Sequence, residues 1–240
     1  MATSYSPKII TDGLVVCLDA RDKKSYSGSG STWTDRSSQN NGTLYNDPTF
    51  DSTNGGLLSF DGTDQYLQLD VDTTALDGDP SLSVDMFVRR RTGTNIGGNA
   101  GFWGVGGSGR GKSFQGWTPT TNLIHLDIYD STRLATSYYY PEGEFVYICW
   151  TKNGTGTETT NVKCYIDGVE VSLTKNRNET ATNQFNTSTS GIGICLGRIN
   201  ADSTNFHTPI DISAFRVYDR ALTSSEVLQN YNATKGRFGL

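Results

Sequence analysis

The stretch from Pro209 to Tyr231 reads PIDISAFRVYDRALTSSEVLQNY and joins a strand pattern directly to a helix pattern. Thr223 stands three residues before Glu226, which is the spacing of a capping box, where hydroxyl and carboxylate satisfy backbone amides at a helix start. Three apolar residues then fall on one helical face: Val227, Leu228 and Tyr231. Elsewhere in the chain, apolar residues follow the two-residue period of β-strands. This stretch therefore predicts a closing strand followed by the single short helix of the protein.

The predicted strand Ile210 to Tyr218 has an irregular alternation. Ile212 and Phe215 would fall on opposite faces of an unbroken strand, although both are apolar. Either a β-bulge between them or partial burial of both faces explains this pattern.

The closing stretch resembles the last strand and helix of laminin-G-like, concanavalin A-like jelly rolls. Three further segments resemble the same family: VKCYIDGV (162–169), LSFDGTDQYLQL (58–69) and the opening segment from Ile10 to Leu44. The opening segment is similar to the start of such domains in virion proteins of tailed bacteriophages. The resemblance implies an all-β, antiparallel two-sheet jelly-roll sandwich with one short C-terminal helix. We then expect the first strand to lie beside Phe215 to Tyr218.

The 240 residues suit one large β domain. We predict a flexible N-terminal arm over residues 1–9, a single jelly-roll domain over 10–234 and a C-terminal tail over 235–240. The tail ends in the apolar residues Phe238 and Leu240. Such an end either docks on its own domain or is offered to a neighbouring subunit, and the sequence leaves both open.

Composition narrows the classes of partner. The net charge of −5 argues against a general nucleic-acid or anionic-membrane surface. The run Arg89 to Arg91 follows a strand pattern and indicates a solvated strand end. No signal-peptide pattern and no apolar run of about 18 residues are visible, so we expect synthesis in a bacterial cytoplasm without membrane insertion. The four cysteines lie in apolar strand patterns, which favours buried free thiols.

Catalytic patterns do not fit the chain. Gly106 to Ser113 matches the phosphate-binding G-x-x-x-x-G-K-S pattern, but Gly116 and Pro119 prevent the helix that must follow, which favours a loop between two strands. Retaining glycosidases need two carboxylates about 5 Å apart, and no strand carries the E-x-D-x-E row of sandwich glucanases. His125 and His207 lack the neighbours of a catalytic triad or metal site. We therefore predict that the protein is not an enzyme.

Two kinds of binding residue are candidates. Three aromatic residues could stack on sugar rings: Trp103, Trp117 and Tyr139. The alternative for each is packing in the core or at a sheet edge. Four carboxylates cluster after a strand pattern and could bind calcium, the one cofactor that the sequence suggests: Asp70, Asp72, Asp77 and Asp79. The alternative is a solvated acidic turn.

These observations predict a non-enzymatic virion structural protein of a tailed bacteriophage, exposed as a capsid decoration or tail-fibre component. Its expected partners are other virion proteins, further copies of itself and glycans of the host surface. The alternative is a carbohydrate-binding module or lectin that is not part of a virion.

Overall fold

The computed structural model describes residues 7–37, 40–53, 55–69, 74–93, 100–107, 113–118, 122–128, 132–156, 159–178, 186–187, 193–199 and 206–240. Within these ranges the protein is built from strands β1 to β17, one α-helix, α1, and two 3-10 turns at Thr74–Leu76 and Lys235–Arg237. All strand pairs in both sheets are antiparallel.

The first sheet has eight strands, with β14-β13-β12-β7-β17-β5-β4 in spatial order and β1 paired separately to β17. Its members are β1 (Leu14–Asp19), β4 (Thr49–Asp51), β5 (Leu57–Asp61), β7 (Leu82–Arg90), β12 (Phe145–Lys152), β13 (Val162–Ile166), β14 (Val169–Val171) and β17 (Pro209–Tyr218). A two-residue hairpin turn at Asp167 and Gly168 joins β13 to β14, and both residues have positive φ, as such a turn requires.

The second sheet has nine strands in the order β15-β11-β10-β9-β8-β16-β6-β3-β2. Its members are β2 (Thr32–Trp33), β3 (Gly42–Tyr45), β6 (Tyr66–Leu69), β8 (Ala100–Gly106), β9 (Ser113–Thr118), β10 (Leu123–Ile128), β11 (Thr132–Tyr139), β15 (Leu173–Asn178) and β16 (Ile194–Leu196).

One hydrophobic core lies between the two sheets. It joins Phe60, Trp150 and Phe215 of the eight-stranded sheet to Trp103 and Leu126 of the nine-stranded sheet, all of them almost completely buried. The predicted antiparallel two-sheet sandwich is therefore confirmed, and so is its single short helix α1 (Ser224–Thr234).

Strand β17 is the centre of the eight-stranded sheet. It pairs with β7 on one side and with β1 on the other, where Leu18 lies opposite Phe215. The predicted neighbourhood of the first and last strands is thus confirmed. The register with β7 shifts between Ile212 and Ala214, which confirms a bulge in the irregular part of the pattern. The bulge places Ile212 and Phe215 on the same side of β17, where both belong to the core between the sheets.

Helix α1 and the tail cover the outward face of the eight-stranded sheet. The capping box of Thr223 and Glu226 is formed on both sides, as predicted. Val227 is buried in a second apolar cluster on this face, whereas Leu228 remains 45% exposed. The ring of Phe238 stacks on Phe87 with centroids 4.8 Å apart, so in this structure the tail docks on its own domain.

A buried polar network fastens the helix to the same face. Arg216 Nη1 lies 2.8 Å from Asp85 Oδ1, and the two side chains are 2% and 0% exposed. Asn230 of α1 and Tyr147 of β12 both donate hydrogen bonds to Asp85 Oδ2, at 2.9 and 3.1 Å. Burial raises the pKa of the Asp85 carboxyl, while Arg216 and these donors favour its charged form. Asp85 therefore has three donors, and the network joins strands β7, β12 and β17 to the helix.

Two predictions about local structure are wrong. The polar composition of the segment from Leu173 to Ser190 predicts a long loop, but the segment contains β15, a strand at the sheet edge that pairs with β11. The run Arg89 to Arg91 is not simply solvated, because Arg90 is 5% exposed and its Nη2 lies 2.7 Å from Glu142 Oε1. Both errors come from partners distant in the sequence. The prediction for the cysteines is confirmed, since all four are free and buried.

Candidate ligand-binding site

The outward face of the nine-stranded sheet carries a row of aligned residues. Strand register places them side by side across seven strands: Thr43, Gln68, Cys195, Gly104, Gln115, Asp127 and Arg133. Leu67 and Leu126, which flank members of this row in the sequence, belong to the core. Because successive residues of a strand point to opposite faces, the row faces away from the core. We call it the polar row.

The polar row contains polar and charged side chains whose burial costs free energy. Gln115 is 2% exposed, and its Oε1 accepts no hydrogen bond. Arg133 pairs with Asp127, with Nη2 2.8 Å from Oδ2. Next to Asp127 on the same face, His125 is 4% exposed, and burial, together with Arg133, lowers its pKa to about 4. The Gln115 oxygen shares this lack of a donor or acceptor with other buried atoms, among them Trp33 Nε1 and Trp150 Nε1 of the core.

An aromatic group lies at one end of the polar row. Tyr45 and Tyr66, paired across β3 and β6, stack with centroids 4.6 Å apart and an interplanar angle of 11°. The guanidinium of Arg198 lies 3.7 Å from the Tyr66 centroid and donates to Gln68 Oε1 at 2.8 Å. Tyr45 is 41% exposed and available to a ligand, whereas Tyr66 is half-buried between Tyr45 and Arg198. His207 is also near, with its ring centroid 6.0 Å from that of Tyr66.

The aromatic and polar groups on this face of the sheet together suit the binding of a sugar. Aromatic faces receive the apolar C–H faces of sugar rings, and amide or carboxylate groups nearby orient hydroxyls. Tyr45 offers the first property, and the half-buried amide of Gln68 on the neighbouring strand offers the second. The face is thus suited to a polar ligand that has an apolar side.

The sequence-predicted aromatic candidates have different fates. Trp103 is wrong as a stacking residue, because it is 1% exposed and packs in the core against Phe114. A register shift between Gly101 and Trp103 turns the indole inward, where the missing side chain of Gly116 leaves room for it. The indole of Trp117 lies outside the described residues. Tyr139 is the last residue of β11 and is 58% exposed.

The predicted calcium ligands are only partly described. Asp70 and Asp72 lie outside the described residues. Asp79 has a cation already, because Lys152 Nζ lies 2.5 Å from its Oδ1, with Lys152 0% exposed. The same ammonium donates to the carbonyls of Pro80 and Gly154 at 2.8 and 2.7 Å.

Lys152 thus uses one carboxylate and two carbonyls, a set of oxygens that otherwise suits calcium. Asp77 is described, but the described parts of the chain contain no group of three or more His, Cys, Asp or Glu that could hold a metal ion.

The phosphate-binding pattern at Gly106 to Ser113 runs from the end of β8 to the start of β9. These strands form an antiparallel pair, so a strand stands where a nucleotide site needs a helix.

The described residues also include no helix that is long and apolar enough to cross a membrane.

The tyrosine pair and the polar row were missed by sequence reasoning. Tyr45 and Tyr66 are separated by 20 positions, and Gln68 and Gln115 by many more. The available signal was alternation: YLQL and SFQGWT each place a glutamine on the face opposite an apolar residue. This indicates which face a residue takes, but not which strands are neighbours.

The two antiparallel sheets around one core define a β-sandwich module with a polar and aromatic outward face on one sheet. The chain belongs to the concanavalin A-like lectin/glucanases superfamily, whose family model matches residues 61–228. No curated protein sequence matches the chain.

Solved structures share the fold at low sequence identity. The Trypanosoma rangeli sialidase in complex with sialic acid is similar with a TM-score of 0.66 at 14% identity, covering 98% of this chain and 36% of the sialidase. The binding domain of botulinum neurotoxin DC in complex with rat synaptotagmin II has a TM-score of 0.62 at 14% identity, covering 93% of this chain and 52% of that domain. The chain therefore spans about a third to a half of the length of these structures.

Proposed function

We propose that the protein is a non-enzymatic saccharide-binding module, displayed on the particle of a tailed bacteriophage as a capsid decoration or tail-fibre component. It contacts glycans of the host surface through the outward face of its nine-stranded sheet. The observation that carries the binding proposal is the exposed Tyr45, which stacks on Tyr66 beside the polar row. Its partners in the particle are other virion proteins and further copies of itself.

The distribution of carboxylates supports binding without catalysis. The nine strands of the sheet carry one carboxylate between them, Asp127, and Arg133 neutralises it. A glycosidase of the usual kind needs an acid and a second carboxylate across the scissile bond. A single paired carboxylate can orient a hydroxyl group, but it does not supply that couple.

The placement on a virion has separate support. It rests on the resemblance of the segment from Ile10 to Leu44 to the opening of such domains in tailed-bacteriophage proteins.

A glycan array followed by titration calorimetry tests the binding proposal. We expect Tyr45→Ala to weaken binding of the best glycan at least about tenfold, the loss of one stacking contact of about 1.4 kcal/mol. The matched control is Leu228→Ser, which changes an exposed apolar residue on the helix over the other sheet. Equal affinity of wild type and Tyr45→Ala, with loss in Tyr139→Ala, would move the site to the other end of the sheet and contradict the proposal.

Quantitative mass spectrometry of gradient-purified particles tests the placement. Copy numbers close to those of the major capsid protein support a decoration protein, and a few copies per particle support a tail fibre. Absence from particles contradicts the virion proposal and leaves the alternative, a carbohydrate-binding module that is not part of a virion.

A further inference from the structure

The structure has a second concave region, which is built from residues other than those of the polar row. It is a cleft of about 470 Å³ between the loop after β1, the segment from β4 to β5 and the C-terminal tail. Its lining includes three basic residues, Arg21, Lys23 and Arg237, and two aromatic ones, Tyr26 and Phe50. This volume falls within the range of small-molecule sites, about 300–1,000 Å³.

The charge of the cleft is opposite to that of the protein. The chain has 25 acidic and 20 basic residues, yet no carboxylate is among the residues that line the cleft. Arg237 is paired with Asp19 at 2.7 Å, which fixes the tail at the rim. Arg21 and Lys23 form no ion pair within the described part of the chain. Two uncompensated cations therefore stand at the cleft of an acidic protein.

The wall of the cleft is aromatic and firmly held. Tyr26 is 3% exposed, donates from its hydroxyl to the carbonyl of Gly30 at 2.9 Å, and lies 5.3 Å from Phe50 between ring centroids. Phe50 is half-buried and keeps part of its ring at the cleft.

Two consecutive glycines let the segments around the cleft approach closely. Gly55 and Gly56 have φ of +81° and +84°. A Cβ at Gly56 would lie 2.9 Å from the carbonyl oxygen of Ala20, and one at Gly55 would lie 3.0 Å from Cβ of Arg237. The backbone of Gly56 is held by Ser213, whose hydroxyl donates to its carbonyl at 2.7 Å. The cleft is therefore shaped by the folded chain and not by a loose loop.

We propose that this cleft binds an acidic sugar unit, with its carboxylate or sulfate between Arg21 and Lys23 and one face of its ring against Phe50. Cations bind the anionic group, and an aromatic ring receives the C–H face of a saccharide. Inorganic anions lack that second contact, and neutral sugars lack the first. The site uses none of the residues of the polar row, so it does not depend on the proposed glycan contact there.

The test is a set of NMR titrations of the full chain, followed on the backbone amides of Gly55, Gly56 and Gly236. Methyl glucuronide and glucose 6-sulfate are the acidic probes, methyl glucoside is the neutral counterpart, and inorganic sulfate is the bare anion. We expect the acidic probes to bind with a Kd on the order of 1 mM, and the other two at least about tenfold more weakly. Added salt should weaken binding, because the ionic contacts are near the surface.

Variants separate this site from its surroundings. The double variant Arg21→Gln/Lys23→Gln should lose at least about tenfold in affinity for the acidic probes, the worth of a pair of charge-assisted contacts. The matched control is Lys24→Gln, an exposed neighbouring lysine that does not line the cleft, and it should bind as the wild type does.

Three outcomes would overturn the proposal: unchanged affinity in the double variant, equal binding of inorganic sulfate, or no shift of the glycine amides with the acidic probes. Because Tyr45→Ala leaves this cleft intact, loss of binding at one site is distinguishable from loss at the other.

Discussion

The outward faces of the two sheets handle buried polar groups in opposite ways. On the eight-stranded sheet, Asp85 receives three hydrogen-bond donors, and the helix and tail close over the pair that it forms with Arg216. On the nine-stranded sheet, Gln115 is equally buried, yet its side-chain oxygen has no donor. A satisfied network stabilises one arrangement, whereas an unsatisfied group costs free energy until a ligand satisfies it. The first face is therefore stabilised by its buried polar groups, whereas on the second the Gln115 oxygen is buried at a cost in free energy.

The largest expected effect comes from breaking the satisfied face. Arg216→Met should lower the free energy of unfolding by about 3–5 kcal/mol, because it leaves the Asp85 carboxyl buried without its cation. Denaturant unfolding followed by tryptophan fluorescence measures this loss. The matched variant on the other face is Arg133→Met, where the arginine is 26% exposed and the expected loss is at most about 2 kcal/mol. Equal losses would remove the distinction between the two faces.

The docked tail should have the next largest effect. Phe238 stacks with Phe87 and also lies 4.3 Å from the ring of Phe145, so Phe238→Ala should cost about 2 kcal/mol. The expected result is a lower Tm in thermal unfolding. Leu240→Ala is the control, since Leu240 is 48% exposed and should leave the Tm unchanged. An unchanged Tm in Phe238→Ala would mean that the tail does not help to close this face.

The helix cap should add a smaller contribution that depends on pH. Hydrogen bonds, first from Arg220 and then from Thr223, lower the pKa of Glu226 to about 2 from an ordinary 4.5. A carboxylate with a lowered pKa stabilises the fold above its unfolded pKa, so this contribution should be lost as the pH falls from about 4.5 to about 2.

Glu226→Gln tests the cap, because glutamine keeps the capping geometry but cannot titrate. It should cost about 1 kcal/mol at pH 7 and flatten the pH dependence of unfolding below pH 4.5. Glu170→Gln is the control, since Glu170 pairs with Lys163 and both side chains of this pair are exposed. The same flattening in the control would contradict the assignment to the cap.

The smallest effect on stability is expected for the unsatisfied face. Gln115→Leu removes a buried acceptor that has no donor, so the free energy of unfolding should stay within about 1 kcal/mol of the wild type or rise. A loss as large as that of Arg216→Met would show that Gln115 belongs to a stabilising network.

Local patterns in the sequence were enough for the features that depend on neighbours in the chain. Thr223 and Glu226 determine the start of the helix, because the two partners of the capping box lie three residues apart. The polar strand β15 escaped prediction, since its pairing with β11 supplies what its composition lacks.

The candidate site was harder to predict than the fold. Trp103 turns inward through a register shift, and Tyr45 meets Tyr66 only because β3 and β6 pair across the sheet. Similarly, the burial of Gln115 beside Asp127 follows from which strands are neighbours. Such juxtapositions depend on the packing of the whole sheet and leave no mark at fixed spacing in the sequence.

The ammonium of Lys152 among the oxygens of Asp79, Pro80 and Gly154 has a practical consequence. A bound metal ion can be removed by a chelator, whereas this cation is covalently attached and present once in every molecule. The loops that it joins should therefore keep their shape in media depleted of divalent ions. We expect the melting temperature to be the same in EDTA as in millimolar calcium, so that the protein withstands environments where calcium-braced modules loosen.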